Sequence, residues 1–443
     1  MKNPIYKTEI KELECSSINE RYKIINHKSG LTVYLFPKNL KTFYALFGTK
    51  YGSVQNKFRI KGEKEFTEVP DGIAHYLEHK LFESEDGENA DEKYAKIGAY
   101  ANAFTSFLET AYLVSCTENY GQALKILIES VTSPFFTEEN VEKERGIIAE
   151  EIRMGEDNPS NALFYGLMRS MYEKHNIRTE IAGSVESIAK ITPELLYKCY
   201  NTFYDLSNMG LCICGRFDEG EIMQIIDSCL EKFTPTEKEL EIYTEAEKPQ
   251  VCSKRFSRKM DVSKPLFSIG IKDVDISPDP DERMRKSAAM DILCDMLFGR
   301  SSSFYTELYE KGLISQSLNP WHEHNKSFSM MVISGDSSDP EAVFDYFRNY
   351  VHEKAEKGID ELFLKDFERC RRVMYADLIK SFDSTEEIAN SLLISFAFDD
   401  SEIFSFVDTV RNIKADYVYE IAKKLFFDDA YTLSVIYPRE NNN

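Results

Sequence analysis

Residues Ile191 to Gly215 align without a gap onto Ile413 to Tyr437, an offset of 222 in a chain of 443 residues. Both segments read as a helix, a short turn and a buried strand. Tyr197 falls on Tyr419 and Leu211 on Leu433. Few identities persist, so the repeat is one of pattern. A unit that recurs at half the chain length supports two related lobes of about 220 residues, each with its own core. The surrounding segments agree. Aromatic and β-branched runs predict strands at 22–27, 31–36, 42–52, 99–107, 110–117 and 208–215 in the first half, and near 251–257, 265–273, 315–322, 327–334 and 431–437 in the second. Helical spacing appears at 138–156, 160–174, 193–204 and 218–232, then at 280–298, 339–355, 359–380, 384–398 and 403–427. The expected fold is α+β: two homologous lobes, each a mostly antiparallel sheet packed with helices. Residues 1–233 and 250–443 form the lobes, and the polar, Pro-flanked stretch 234–249 reads as their linker. Residues 53–70 read as a loop.

Composition narrows the function. Hydrophobic residues make up 42% and charged residues 29%, enough to bury real cores. A net charge of −21 argues against nucleic acid, whose phosphates need Lys and Arg. An acidic cavity would suit basic or amphipathic peptides; an acidic solvated surface serves solubility equally well. The nine Cys are irregularly spaced, with no C-x-x-C pair, and Cys212 and Cys214 alternate on a strand. This is the usage of reduced core sulfur, and a cytoplasmic location is expected. Met1 to Glu14 has no apolar h-region, so no signal peptide is read. No window approaches 18 apolar residues, so no membrane span is expected.

The chemistry concentrates in Asp71-Gly72-Ile73-Ala74-His75-Tyr76-Leu77-Glu78-His79-Lys80-Leu81-Phe82, with Asp71 the expected N-cap of a helix. On that helix His75 and His79 lie one turn apart on one face and can both reach one zinc. Glu78 can then stand beside the metal and take a proton from its water. H-x-x-E-H is the zinc-protease helix H-E-x-x-H in reverse order. A catalytic zinc needs a third protein ligand. The acidic helix 138–156, with Thr137 as its N-cap, supplies carboxylates. Glu144 and Glu151 are seven apart, on one face with Ile148 between them, and Glu150 points about 100° away. Geometry alone leaves open which of Glu144 and Glu151 is the ligand.

His75-Tyr76-Leu77-Glu78-His79 followed by Glu144-Arg145-Gly146-Ile147-Ile148-Ala149-Glu150-Glu151 resembles the M16 family of zinc metallopeptidases, the insulinase, pitrilysin and mitochondrial processing peptidase group. The spacing of 72 residues from His79 to Glu151 fits that signature. The resemblance implies one Zn2+ per chain on His75, His79 and Glu151. It makes Glu78 and Glu144 the catalytic carboxylates, Glu78 as general base and Glu144 orienting a ligating imidazole. It implies that Asn102, Ala103, Phe104 and Thr105 lie on an edge strand that binds an extended peptide. It also implies a short, two-domain bacterial form, a catalytic zinc-binding N-terminal domain closed by a related C-terminal domain in a clamshell around a cavity. The implied activity is endopeptidase action on peptides or unfolded segments. A homodimer, or a heterodimer with a second M16-like subunit, is the partner it allows.

Residues 297–302 and 307–314 resemble the family's C-terminal signature, with one departure. Active members carry an Arg and a Tyr there; the matching positions hold Tyr309 and Ile314 or Ser315. Arg300 and Tyr305 are nearby substitutes. Otherwise a second subunit supplies the pair, or the activity is weak or specialised; the alternative reading is a non-catalytic or partner-dependent subunit of a heterodimeric processing peptidase. His322-Glu323-His324 reads as a surface or cavity-lining strand, because no third ligand accompanies it.

Overall fold

The computed structural model describes residues 8–85, 87, 89–236 and 238–439. The chain forms two compact α+β units. The first comprises 1–152, 179–244 and 379–398; the second comprises 153–178, 245–378 and 399–443.

The first unit carries β1 (Glu9–Cys15), β2 (Glu20–Asn26), β3 (Thr32–Pro37), β4 (Phe43–Thr49), β5 (Lys57–Ile60), β6 (Thr67–Glu68), β7 (Tyr100–Thr105), β8 (Thr110–Cys116), β9 (Met209–Gly215) and β10 (Leu240–Ile242). Seven of these form one sheet in the order β1-β2-β3-β9-β4-β8-β7. The second unit carries β11 (Arg255–Met260), β12 (Leu266–Asp273), β13 (Ile314–His324), β14 (Ser329–Ser337) and β15 (Tyr431–Pro438), in the order β11-β15-β12-β14-β13. The repeat is explicit in these orders. Strands β3-β9-β4-β8-β7 match β11-β15-β12-β14-β13, with a parallel first pair and antiparallel pairs thereafter.

The units exchange helices between the two halves of the sequence. Helix Thr385–Ala397, late in the chain, packs on β4 and β9 of the first unit. Helix Pro159–Met171, early in the chain, packs on β11, β12 and β15 of the second. Glycine makes room at equivalent places. A Cβ on Gly48 would fall 2.5 Å from Leu393, and one on Gly270 would fall 2.7 Å from the sulfur of Met171. Coverage on both faces explains why β4 and β9 are buried throughout and read as continuous apolar runs.

Several expectations are corrected. Residues 53–70 and 234–249 are not simply loop and linker: β5, β6 and β10 form a small sheet, with Leu240 opposite Ile60 and Ile242 opposite Phe58. The stretch expected as one helix over 403–427 is two, Ile403–Asn412 and Ala415–Leu425, because Ile413 and Lys414 are extended. Helix Ser303–Glu310 adds to the elements expected.

Glu247, inside the expected linker, has a buried side chain. Its carboxylate sits 2.7 Å from the Lys272 ammonium, and the two side chains are 8% and 1% exposed. It also accepts the backbone N–H groups of Glu173, Lys174 and His175 at 3.2, 2.6 and 2.8 Å. Burial opposes the charge, but the Lys272 hydrogen bond and those two shorter backbone bonds outweigh it and hold the carboxyl down at about 2. A carboxyl depressed in the folded state stabilises it above its unfolded value near 4.5 and loses that contribution as pH falls toward 2. Glu247→Gln leaves a buried ammonium unpaired. It is expected to destabilise the second unit by about 3–5 kcal/mol at neutral pH, and by progressively less as the pH falls below about 4.5. Urea melts of both proteins at pH 7 and pH 3 check this; an equal loss at both values refutes the ion-pair account.

Candidate metal centre

The motif helix is Ile73–Lys80, too short to be stable alone. Its start differs from expectation. Gly72, not Asp71, is the N-cap, with φ of 90°, and a Cβ there would fall 2.4 Å from the Ala182 carbonyl oxygen. Asp71 instead accepts the Asn56 amide, and its carbonyl accepts the Ser187 hydroxyl at 2.8 Å. Tyr76 donates to the Val141 carbonyl, and the fully buried Lys80 reaches Glu83 at 2.5 Å and the Asn140 carbonyl at 3.2 Å. The Tyr76 bond and the Lys80–Asn140 bond fasten the motif helix to the acidic helix Glu138–Glu156. Thr137 caps the acidic helix as expected. Its hydroxyl accepts the Asn140 N–H at 3.2 Å, while the Asn140 side chain accepts the Thr137 N–H at 2.9 Å. Ile148 is fully buried between Glu144 and Glu151.

This pairing of helices brings the predicted residues together. Glu151 Oε1 lies 3.6 Å from His75 Nε2, and Glu151 Oε2 lies 3.5 Å from His79 Nε2. One ligand atom from each of the three residues falls within 4.8 Å of the others. A tetrahedral metal with bonds of about 2.0–2.1 Å keeps its ligand atoms about 3.3–3.4 Å apart, so the set fits zinc. Among the described residues no other group of three His, Cys, Asp or Glu side chains is so arranged.

The surroundings prepare these ligands. Burial, with the neighbouring His79, lowers the His75 pKa to about 4, so its imidazole is neutral with a lone pair to offer. Its Nδ1 is buried without a hydrogen-bond partner among the described residues, so packing alone orients the ring. His79 differs. Its Nδ1 lies 2.9 Å from Glu144 Oε1, which turns Nε2 toward Glu151. Burial works against a charge on His79, but the Glu144 hydrogen bond and the charges of Glu78, Glu144 and Glu151 raise its pKa. A cation at this site would compete with a proton for Nε2. Burial likewise opposes the Glu144 charge, and the His79 bond outweighs it and lowers that carboxyl. Burial raises Glu78, while a hydrogen bond from Thr105 and the charge of His79 act downward.

Asn102, Ala103, Phe104 and Thr105 lie on β7, which is the edge strand of its sheet and packs beside the motif helix. Thr105 does more than line that edge: its hydroxyl donates to Glu78 Oε2 at 2.9 Å, a role that no local sequence signal marks. Arg300, Tyr305, Tyr309, Ile314 and Ser315 all lie in the second unit. Tyr305 and Tyr309 stack on each other, with centroids 6.1 Å apart. His322 pairs with Asp291 at 2.9 Å, and His324 bonds the Ser329 hydroxyl at 2.8 Å, so neither belongs to a metal set.

Two imidazoles and a carboxylate within 4.8 Å of one another, with a further acid beside them, are a donor set of the kind that hydrolytic metals use. Comparison with known proteins narrows this class. The chain belongs to the insulinase family of peptidases, M16. The family described as insulinase (peptidase family M16) matches residues 65–185, and that described as the peptidase M16 inactive domain matches residues 190–374. The uncharacterized zinc protease YmfH of Bacillus subtilis is 37% identical over 432 residues, covering 97% of this chain and 100% of that protein. The crystal structure of an M16-like peptidase from Alicyclobacillus acidocaldarius is similar with a TM-score of 0.88 at 30% identity, covering 99% of this chain and 100% of that one. A protease from Helicobacter pylori, at 20% identity and a TM-score of 0.79 over 95% of this chain and 100% of its own, shares the fold.

Proposed function

We propose that this chain is a zinc-dependent endopeptidase that holds one Zn2+ on His75, His79 and Glu151 and cleaves peptides or unfolded segments. The observation that carries the reading is the approach of both His Nε2 atoms to Glu151 at 3.5 and 3.6 Å, with the Glu78 carboxylate beside them. When bound, zinc lowers the pKa of a coordinated water toward about 7 and stabilises negative charge on a carbonyl oxygen. Glu78 takes the water's proton and passes it to the leaving amine. Glu144 keeps the His79 ring turned for ligation. An extended peptide lies along residues 102–105, where an edge strand offers unpaired backbone groups.

All nine Cys are free, seven of them buried at core positions, which supports a reducing compartment and a cytoplasmic enzyme. Among the described residues no helix is long and apolar enough to cross a membrane. A second reading rests on the missing Arg/Tyr pair: the chain binds zinc but turns over only with an M16-like partner subunit.

Quenched peptides decide between them. Hydrolysis is expected to stop with chelator and return with zinc, at one zinc per chain by elemental analysis. Zinc at that stoichiometry with turnover only after a second subunit is added establishes the partner-dependent reading. Hydrolysis that persists after complete zinc removal defeats both.

A further inference from the structure

We propose that Thr105 is a positioning residue that holds the Glu78 carboxylate in the orientation needed to take a proton. The proposal rests on Glu78 being the general base, as in the function proposed above. Thr105 is the last residue of β7 and pairs with Thr110 of β8. Its hydroxyl stands 2.9 Å from Glu78 Oε2 and 3.4 Å from the Thr110 hydroxyl. Thr110 is fully buried and gives its own proton to the Tyr51 carbonyl at 2.8 Å. Each hydroxyl has one proton. An ionised carboxylate can only accept, and its Oε2 is nearer than the Thr110 oxygen, so the Thr105 proton is directed to Glu78.

This makes the two oxygens of Glu78 unequal. Oε2 is tied to the sheet, and among the described residues Oε1 is bonded to no protein donor. The terminal torsion of a glutamate is soft, so a carboxylate without a tether samples many planes. A single tether at Oε2 selects one plane and presents Oε1, and orientation of a reacting group is worth a substantial part of a barrier. The hydroxyl also suits both charge states of the base. It donates to the carboxylate, and after proton uptake it can rotate and accept from the carboxylic acid. Valine has nearly the same shape but can do neither, whereas serine keeps both abilities.

Position on β7 invites a different account, in which the Thr105 side chain touches substrate. The two accounts diverge in kinetics. If the hydroxyl binds substrate, Thr105→Val raises KM; if it tethers Glu78, Thr105→Val lowers kcat and preserves KM. The expected result for zinc-loaded Thr105→Val is a fall in kcat of about tenfold or more with KM within about twofold, and unchanged zinc content and thermal midpoint. Thr105→Ser is expected to recover most of that kcat. Crystal structures of the same proteins supply a readout independent of turnover: the Glu78 carboxylate stays in one plane in the native protein and in Thr105→Ser, and turns or splits in Thr105→Val. Wild-type kcat in Thr105→Val, a rise in KM alone, equal defects in Val and Ser, or a Glu78 unmoved by Val overturns the proposal. Should the native protein show no zinc-dependent hydrolysis, the proposed function fails, and the crystal structures alone decide whether Thr105 sets the carboxylate.

Discussion

Glu78→Gln is expected to keep one zinc per chain and to lose about 10²–10⁴-fold in kcat. The substitution isolates one property. Glutamine has the shape of glutamate, and its carbonyl oxygen can still accept the Thr105 hydroxyl bond now made at 2.9 Å. It cannot accept the water's proton. The three candidate ligands, His75, His79 and Glu151, do not include Glu78, so metal content should not move. His79→Ala makes the contrast. It removes a candidate ligand together with the partner of Glu144, and zinc and activity should fall together. Elemental analysis beside initial rates separates the two patterns. Glu78→Gln with undiminished kcat removes Glu78 from the role of base, and Glu78→Gln without zinc makes it a ligand.

The candidate centre was legible because each of its parts is encoded over a short stretch. His75 and His79 share a face by helical spacing, and Glu144 and Glu151 do so through two turns around Ile148. Helix 138–156 appears at the bounds read from the sequence, because its Thr137 cap is a local signal; helix 280–298 does so too, although its buried residues lie on all faces. Local spacing left open which of the two carboxylates is the ligand. Packing of the two helices now places Glu144 at His79 Nδ1 and Glu151 at both Nε2 atoms.

What could not be read depends on distant partners. Asp71 looks like an N-cap until Asn56 and Ser187 claim it. Glu247 looks like linker until Lys272, 25 residues on, is found beneath it. Leu240 and Ile242 are an unremarked pair of apolar residues in a charged run, and only β5 makes them a strand. Thr105 is the sharpest case. Its place on a strand was visible, but its hydroxyl bond crosses 27 residues to the motif helix.

The exchange of helices carries the last expectation. A cut between Thr244 and Glu245 gives fragments 1–244 and 245–443, and neither is expected to fold alone. The first would lack helix Thr385–Ala397, which buries Ile388, Leu392, Leu393 and Phe396, each 8% exposed or less, in the unit that contains β4 and β9. Phe396 also meets Tyr34 edge-on, with ring centroids 6.4 Å apart. At about 1.5–3 kcal/mol for each large apolar side chain fully buried, four such residues are worth roughly 6–12 kcal/mol. That matches the whole stability of an ordinary domain, about 5–15 kcal/mol. The second fragment would lack Pro159–Met171, whose Leu163, Leu167, Met168 and Met171 are buried and whose Leu163 carbonyl accepts the Ser434 hydroxyl at 2.8 Å. Separately produced fragments should therefore be insoluble, or should bind a hydrophobic dye and melt without a cooperative transition. Co-expressed, each returns the other's missing helix, and a soluble pair should be recovered. Fragment 1–244 melting alone as a cooperative monomer near the temperature of the intact chain would show that β4 and β9 need no helix from the second half.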